Sequence, residues 1–276
     1  MDKSSSWTIE IMTHFTIFGN PVEHSKSPQM HNAGFSHIKF DGVYDKTPLE
    51  DGSTIKQVFL NKHLKGANIT VPHKEDAYKN ADEIKGLASK IGAVNTYINE
   101  NGKVIAYNTD APGFMKAIEE FQNIEPIKKA IILGAGGTAK AIAVAFNEAG
   151  IDTTVINRSE GRLEFFKELD CKTSTWDNFI CENYDLVVNS TSAGLKDDIY
   201  PTPLPILEDI LKNSKSAIDC IYGKLTPFLQ KAKLLNIPYK DGEDMLLYQG
   251  VIAFELFTNT YANDTLIEAM REGLKK

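Results

Sequence analysis

Two constellations in this 276-residue chain could do chemistry. The first is Gly134-Ala135-Gly136-Gly137-Thr138-Ala139, a Gly-x-Gly-x-x-Ala pattern placed directly after the apolar run Ala130-Ile131-Ile132-Leu133. Such small residues let the chain turn tightly and let backbone N–H groups approach a pyrophosphate at a helix N-terminus. A glycine pattern alone is weak. Here it has a strand before it, a helical stretch to about Ala149 after it and another strand at Thr153–Ile156, a far more specific arrangement. The residue that reads the adenosine ribose falls about 20 positions further on, in Asn157-Arg158-Ser159. A carboxylate there would accept from a 2′-hydroxyl. None is present, and Arg158 with Arg162 offers guanidinium groups suited to a 2′-phosphate. Only three of the 30 basic residues are arginine, the third being Arg271, so the pairing at this spot carries information. The spacing predicts NADP(H) over NAD(H). The competing reading is a solvated helix start.

The second constellation is Lys74, just past Thr70-Val71-Pro72-His73, and Asp110 in Asn108-Thr109-Asp110. A nicotinamide enzyme that reduces a carbonyl needs a proton donor near the developing alkoxide. A lysine beside a carboxylate could shuttle that proton or hold a substrate hydroxyl. Any one lysine is more often a surface charge. The residues alone therefore reach an NADP(H) oxidoreductase and leave the substrate open.

Short apolar runs alternating with amphipathic stretches must position these groups, the pattern of an α/β protein. Strands are predicted at Phe15–Phe18, Val43–Lys46 and Ala67–Val71, with a hairpin from Asn95–Ile98 and Val104–Tyr107 turning at Asn101-Gly102. Pro28 can open a helix, Ser53 can cap one running to about Lys62, and helical segments are expected over roughly 73–90. After Asp110 come a helix near 112–122, then strands at Ala130–Leu133, Thr153–Ile156, Leu186–Val188 and Ala217–Ile218. Helices are predicted near 160–169 and 226–235. The fully apolar strand 130–133 marks a parallel sheet covered on both faces, so this second unit reads as a doubly wound Rossmann-type sheet. The tail Met245–Lys276 is helical with no strand of its own.

The net charge of −7 argues against a general nucleic-acid binder. Cys171, Cys181 and Cys220 are too sparse for a disulfide framework or a zinc site and read as buried thiols in a reducing compartment. The six histidines, all between 14 and 73, lack helical zinc spacing, so no metal is expected. The polar start and the lack of a spanning apolar run predict a cytoplasmic protein with no membrane partner. Residues 1–11 read as an extension.

At this level the chain resembles the shikimate dehydrogenase family. The resemblance rests on Gly19-Asn20-Pro21 with His24-Ser25-Lys26-Ser27-Pro28, on Asn68-Ile69-Thr70-Val71-Pro72 with Lys74, and on Gly92-Ala93-Val94-Asn95-Thr96. It continues through Asn108-Thr109-Asp110, the glycine loop, Asn157-Arg158-Ser159, Asn189-Ser190-Thr191-Ser192, Asp219-Cys220-Ile221-Tyr222 and Asp241-Gly242 with Gln249. The resemblance implies reversible NADP-linked reduction of 3-dehydroshikimate to shikimate, in aromatic amino-acid (chorismate) biosynthesis. It implies Lys74 and Asp110 as the catalytic pair. Ser25 and Ser27 would bind the substrate carboxylate, Thr70, Asn95, Asp110 and Gln249 the ring hydroxyls, and Tyr222 the carboxylate end, with Asn68 a weaker candidate. The cofactor would meet Gly134, Ala135, Gly136, Gly137, Asn157, Arg158, Ser159 and Arg162, with Gly242 and the Cys220 backbone at the nicotinamide. The family layout implies a substrate domain from 12–110 plus 245–276, interrupted by an NADP domain at 111–244, in a monomer or homodimer. The rival readings are a quinate/shikimate dehydrogenase of broader specificity and a non-catalytic NADP sensor. The sensor predicts loss of Lys74 or Asp110, and both are present. A folate-type dehydrogenase shares the layout, but its motifs are absent.

Overall fold

The computed structural model describes residues 12–276, so the expected extension at 1–11 lies outside the described residues. The chain runs through β1 (Thr13–Gly19), α1 (Ser27–Ile38), β2 (Gly42–Pro48), α2 (Ile55–Asn61), β3 (Gly66–Ile69), α3 (Lys74–Asn80), β4 (Glu83–Ile84) and α4 (Ala88–Ile91). The hairpin β5 (Thr96–Glu100) and β6 (Lys103–Tyr107) completes a six-stranded sheet ordered β2-β1-β3-β5-β6-β4. β1 pairs in parallel with both β2 and β3, while β5 runs antiparallel to β3 and β6. Asn101 and Gly102 both take positive φ, 56° and 86°, as a tight hairpin turn requires.

Three local expectations shift. The stretch 73–90 is two short helices with β4 between them, because Asp82 turns away to accept from the Val104 N–H at 2.8 Å. Ser53 does not cap its helix. The Asp51 carboxylate accepts from the Ser53 N–H at 2.9 Å and opens a single 3-10 turn ahead of α2. The third strand ends at Ile69, leaving Thr70 in the turn that follows.

The second sheet is built from α5 (Asp110–Ala117), α6 (Glu119–Ile124), β7 (Lys129–Leu133), α7 (Gly137–Glu148), β8 (Asp152–Asn157), α8 (Glu164–Glu168), β9 (Lys172–Thr175), β10 (Tyr184–Asn189), α9 (Leu204–Lys212), β11 (Ser214–Asp219), α10 (Pro227–Leu234) and β12 (Tyr239–Lys240). Its strands are all parallel, in the order β12-β11-β10-β7-β8-β9. This is the doubly wound order, with its reversal between β7 and β10, where ligands bind beyond the strand C-termini. The chain closes with α11 (Glu243–Thr258) and α12 (Asp264–Leu274).

α11 is apolar on more than one face because it is covered on more than one face. Met245 joins the core of the second sheet with Phe114, Ile132 and Phe146. Leu247, Val251, Phe254 and Phe257 join the core of the first sheet with Phe15, Phe35 and Tyr44. α5 crosses it closely: a Cβ on Gly113 would lie 2.6 Å from the Gln249 nitrogen. Ile91 and Ala93 from the first unit pack with Ala111, Ala141 and Val144. The two sheets therefore meet through α4, α5, α7 and α11, with their strand C-termini around the junction.

Candidate active site

Lys74 is the first residue of α3, and its backbone oxygen accepts from the Val94 N–H at 3.0 Å. Asp110 opens α5, where a carboxylate favours the helix N-terminus. The Lys74 Nζ donates to Asp110 Oδ2 at 2.6 Å, with the lysine side chain 19% and the aspartate 9% exposed. A pair so far from bulk water interacts more strongly than a surface ion pair.

The other carboxylate oxygen has its own partner. Asn95, at the entry to β5, donates from Nδ2 to Asp110 Oδ1 and to Thr109 Oγ1, each at 2.9 Å, with Gln249 Oε1 a more distant neighbour at 3.4 Å. The Thr109 N–H donates to Asn95 Oδ1 at 2.8 Å. Asn108 closes the turn: its Oδ1 accepts from the Asp110 N–H at 3.0 Å and its Nδ2 donates to the Ala93 carbonyl at 3.0 Å. Asn68 stands behind them on β3, donating to the Asn95 carbonyl at 3.2 Å. The structure thus brings Lys74, Asp110, Asn95, Gln249 and Asn68 into one bonded group.

Thr70, Ser25 and Ser27 lie beyond the C-terminal ends of β3 and β1. The Thr70 N–H donates to Phe18 O at 2.8 Å and the Asn20 N–H to Val71 O at 3.1 Å, which binds the two strand-end loops together. Ser25 Oγ accepts from the Ser27 N–H at 3.3 Å, so the serines share one turn at the start of α1.

The second sheet offers its residues from the opposite side. Burial pushes the Cys220 thiol far up from its ordinary range, with Asp219 and Asp110 adding to the rise and Lys74 opposing it, so the thiol lies within the field of the Lys74–Asp110 pair. Its loop is held by Asp219, a buried carboxyl that accepts from Thr226 Oγ1 at 2.6 Å, Asn189 Nδ2 at 3.0 Å and the Ile221 N–H at 3.0 Å. Burial raises the Asp219 carboxyl and these hydrogen bonds oppose the rise. A Cβ on Gly242 would fall 2.3 Å from the Cys220 carbonyl oxygen, so only glycine fits. Tyr222, half-buried, follows two residues after Cys220.

The glycine loop has the features a dinucleotide requires. Gly134 sits at φ 101°, and a side chain there would strike Thr191, 2.7 Å away. Ala135 is tucked into the core, while Cβ atoms on Gly136 or Gly137 would meet nothing within 4 Å. The N-terminus of α7 is therefore bare, with open space in front of Gly136 and Gly137. Asn157 ends β8 and donates from Nδ2 to Ser159 O at 2.9 Å, shaping the loop that carries Arg158. Arg158 and Arg162 are exposed. Arg162 stands in a 3-10 turn rather than in the α-helix expected over 160–169. Arg271, in contrast, is tied to Asp244 at 2.5 Å.

A family model described as "Shikimate dehydrogenase substrate binding domain" matches residues 17–97, and one described as "Shikimate 5'-dehydrogenase C-terminal domain" matches 242–275. The chain is 42% identical over 260 residues to the shikimate dehydrogenase (NADP(+)) of Helicobacter hepaticus, covering 93% of this chain and 95% of that one. The chain belongs to the shikimate dehydrogenase family. A Helicobacter pylori relative of the same description is 44% identical over 253 residues, covering 89% and 92% of the two chains. The crystal structure of the shikimate 5-dehydrogenase of Thermus thermophilus, solved in complex with NADP(H) and shikimate, has a TM-score of 0.82. It is 32% identical, covering 96% of this chain and 99% of that one. The family resemblance and the α/β fold with a Rossmann-type sheet thus both hold.

Sequence reasoning missed several members of the bonded group. Thr109 lay within a quoted triplet and could have been read from it. Thr96, beside Asn95, donates to Asn95 Oδ1 at 3.0 Å, and Tyr44 donates to Asn68 at 2.7 Å. Tyr44 gave no signal, since one tyrosine in a strand reads as core.

Proposed function

We propose that this chain catalyses the reversible NADPH-dependent reduction of the ketone of 3-dehydroshikimate to shikimate, an oxidoreductase step in aromatic amino-acid biosynthesis. The observation that carries this reading is the shielded Lys74–Asp110 pair at 2.6 Å, embedded in amide and hydroxyl groups between the two sheets. A ring dense in hydroxyls needs such donors and acceptors, and a site that pairs each hydroxyl rejects analogues that lack one. Ser25 and Ser27 bind the carboxylate, Thr70, Asn95, Asp110 and Gln249 the ring hydroxyls, and Tyr222 closes the carboxylate end.

Gly134–Gly137 at the N-terminus of α7 would hold the pyrophosphate of NADP(H), and Arg158 and Arg162, with Asn157 and Ser159, would bind its 2′-phosphate. When bound, the cofactor supplies the hydride for the carbonyl carbon. Gly242 and the Cys220 backbone, packed against each other, would border the nicotinamide. Lys74 and Asp110 manage the proton at the ketone oxygen as it becomes a hydroxyl, Lys74 also stabilising the growing negative charge. Asn95 keeps Asp110 aimed at Lys74.

This reading divides the chain into a substrate domain, 12–110 with 245–276, and an NADP domain, 111–244. It takes the protein to be a cytoplasmic monomer or homodimer. None of its described helices is long and apolar enough to cross a membrane.

The test is oxidation by NADP+ of shikimate and of quinate. The reading expects a far higher kcat/KM for shikimate. Comparable values would make the enzyme a broader quinate/shikimate dehydrogenase. NADP+ binding without turnover of either would make it a sensor.

A further inference from the structure

Behind the bonded group runs a buried line of hydrogen bonds with a single possible direction. Its orientation is set at two main-chain anchors. The Asn95 amide is fixed by the Thr109 N–H, which can only donate and meets Asn95 Oδ1 at 2.8 Å. Asn95 therefore turns its Nδ2 to Asp110 Oδ1. The Asn68 amide is fixed by the Asn95 carbonyl, which can only accept and meets Asn68 Nδ2 at 3.2 Å. Asn68 therefore presents Oδ1 to the Tyr44 hydroxyl, 2.7 Å away, and Tyr44 must donate. Between the two amides, Thr96 Oγ1 accepts from Asn68 Nδ2 at 3.1 Å and donates to Asn95 Oδ1 at 3.0 Å. The donors thus point one way throughout: Tyr44 to Asn68, Asn68 to Thr96, Thr96 to Asn95, Asn95 to Asp110.

Tyr44 is held in place from several sides although β2 is an edge strand. Asn32 of α1 grips its main chain twice, accepting from the Tyr44 N–H and donating to the Tyr44 carbonyl, each at 2.9 Å. The His31 ring stacks on the phenol ring, with centroids 4.4 Å apart and planes 1° from parallel. Tyr44 is 1% exposed and Asn68 4%. Burial pushes the phenol well above its ordinary range, so it keeps its proton and remains a donor. An unpaired Asn68 acceptor at this depth would be costly, which gives the first bond of the line its hold on the rest.

We propose that Tyr44, through Asn68 and Thr96, is a positioning residue that holds the Asn95 amide in the orientation its Thr109 anchor sets and so keeps the Asp110 carboxylate aimed at Lys74. The proposal rests on the reading of Lys74 and Asp110 as the catalytic pair. Tyr44 itself touches neither Lys74 nor Asp110. It acts by filling the Asn68 acceptor, which keeps Asn68 Nδ2 on the Thr96 hydroxyl and that hydroxyl on Asn95 Oδ1. A small misplacement of a catalytic group is enough to slow a reaction by an order of magnitude or more.

The experiment measures kcat and both KM values for 3-dehydroshikimate reduction by NADPH in Tyr44→Phe, Thr96→Val and Thr96→Ser, each at a temperature where circular dichroism shows it folded. Tyr44→Phe keeps the ring and the His31 stack and removes only the donor. The expected result is a kcat roughly tenfold lower, with the KM for NADPH unchanged. Thr96→Val should do the same, Thr96→Ser should retain wild-type kcat, and Tyr44→Phe with Thr96→Val should lose less than the product of the two. Wild-type kcat in Tyr44→Phe overturns the proposal. So does a change confined to KM, or a fall that only tracks the folded fraction. Lys74→Met, assayed alongside, separates the two levels: if it keeps full turnover the catalytic reading fails, and if it is inactive while Tyr44→Phe is normal only the positioning line fails.

Discussion

The two halves of the site are built on opposite principles. Around Lys74 and Asp110 the polar side chains spend their hydrogen bonds on one another: Asn95 alone reaches Asp110, Thr109 and Gln249. Around the glycine loop the chain leaves its groups free. Gly136 and Gly137 face open space, and Arg158 and Arg162 stand in solvent. The difference follows from what each half has to hold. On the proposed reading, the substrate's ring hydroxyls offer weak, directional contacts around Lys74 and Asp110, so their partners must be oriented in advance. On the same reading, the charged phosphates of a dinucleotide would offset the ordering of exposed arginines on binding.

Breaking the preorganised half should cost the most. Lys74→Met is expected to lower kcat by about a thousandfold or more while leaving the NADPH Michaelis constant near wild type, because it removes proton handling and charge stabilisation together. Steady-state rates with each substrate varied in turn would show it, and near-normal turnover would dismiss the lysine. Breaking the open half should be milder and should read out only in binding. Arg158→Ala is expected to raise the NADPH Michaelis constant by about ten- to a hundredfold. The NADH constant should hardly move, and equal effects on both cofactors would contradict the 2′-phosphate role.

The smallest effect concerns stability. Burial lowers the His31 imidazole to about 3, with the Asn68 side chain opposing the shift. The folded pKa lies below the unfolded value, so folding binds fewer protons. The stability due to neutral His31 is complete above pH ~6.5 and is lost progressively as pH falls toward 3. By pH 5 the loss is about 2 kcal/mol. Urea titrations at pH 7 and 5 should show that slope in the wild type and a flatter one in His31→Phe. An unchanged slope would assign acid sensitivity elsewhere.

What could be read from the sequence follows the same division. The cofactor half is local: strand, glycine loop, helix and the ribose-reading position all fall between 130 and 162, so spacing alone suggested NADP(H). The substrate half is assembled from β3, α3, β5, α5 and α11, and nothing in periodicity joins residue 68 to 95 or 249. Family resemblance was needed to name those residues as one set, and hydrogen bonds join Lys74, Asp110, Asn95 and Gln249 in the structure. What escaped notice has ordinary causes. β4 and β12 are two-residue strands at sheet edges, too short to show alternation. β9 is an edge strand of half-buried Thr and Ser, without the apolar run that marked β7. The Ser53 cap failed because Asp51, two residues earlier, has the stronger acceptor. Tyr44 was invisible because its importance lies in a partner 24 residues away.

The most direct test of the whole account is the absorbance of NADPH on adding 3-dehydroshikimate to the purified protein, with Lys74→Met as the paired control. The account predicts rapid NADPH consumption by the wild type, its reversal with shikimate and NADP+, and near silence from the variant. NADPH that binds the wild-type protein and is never consumed would contradict it.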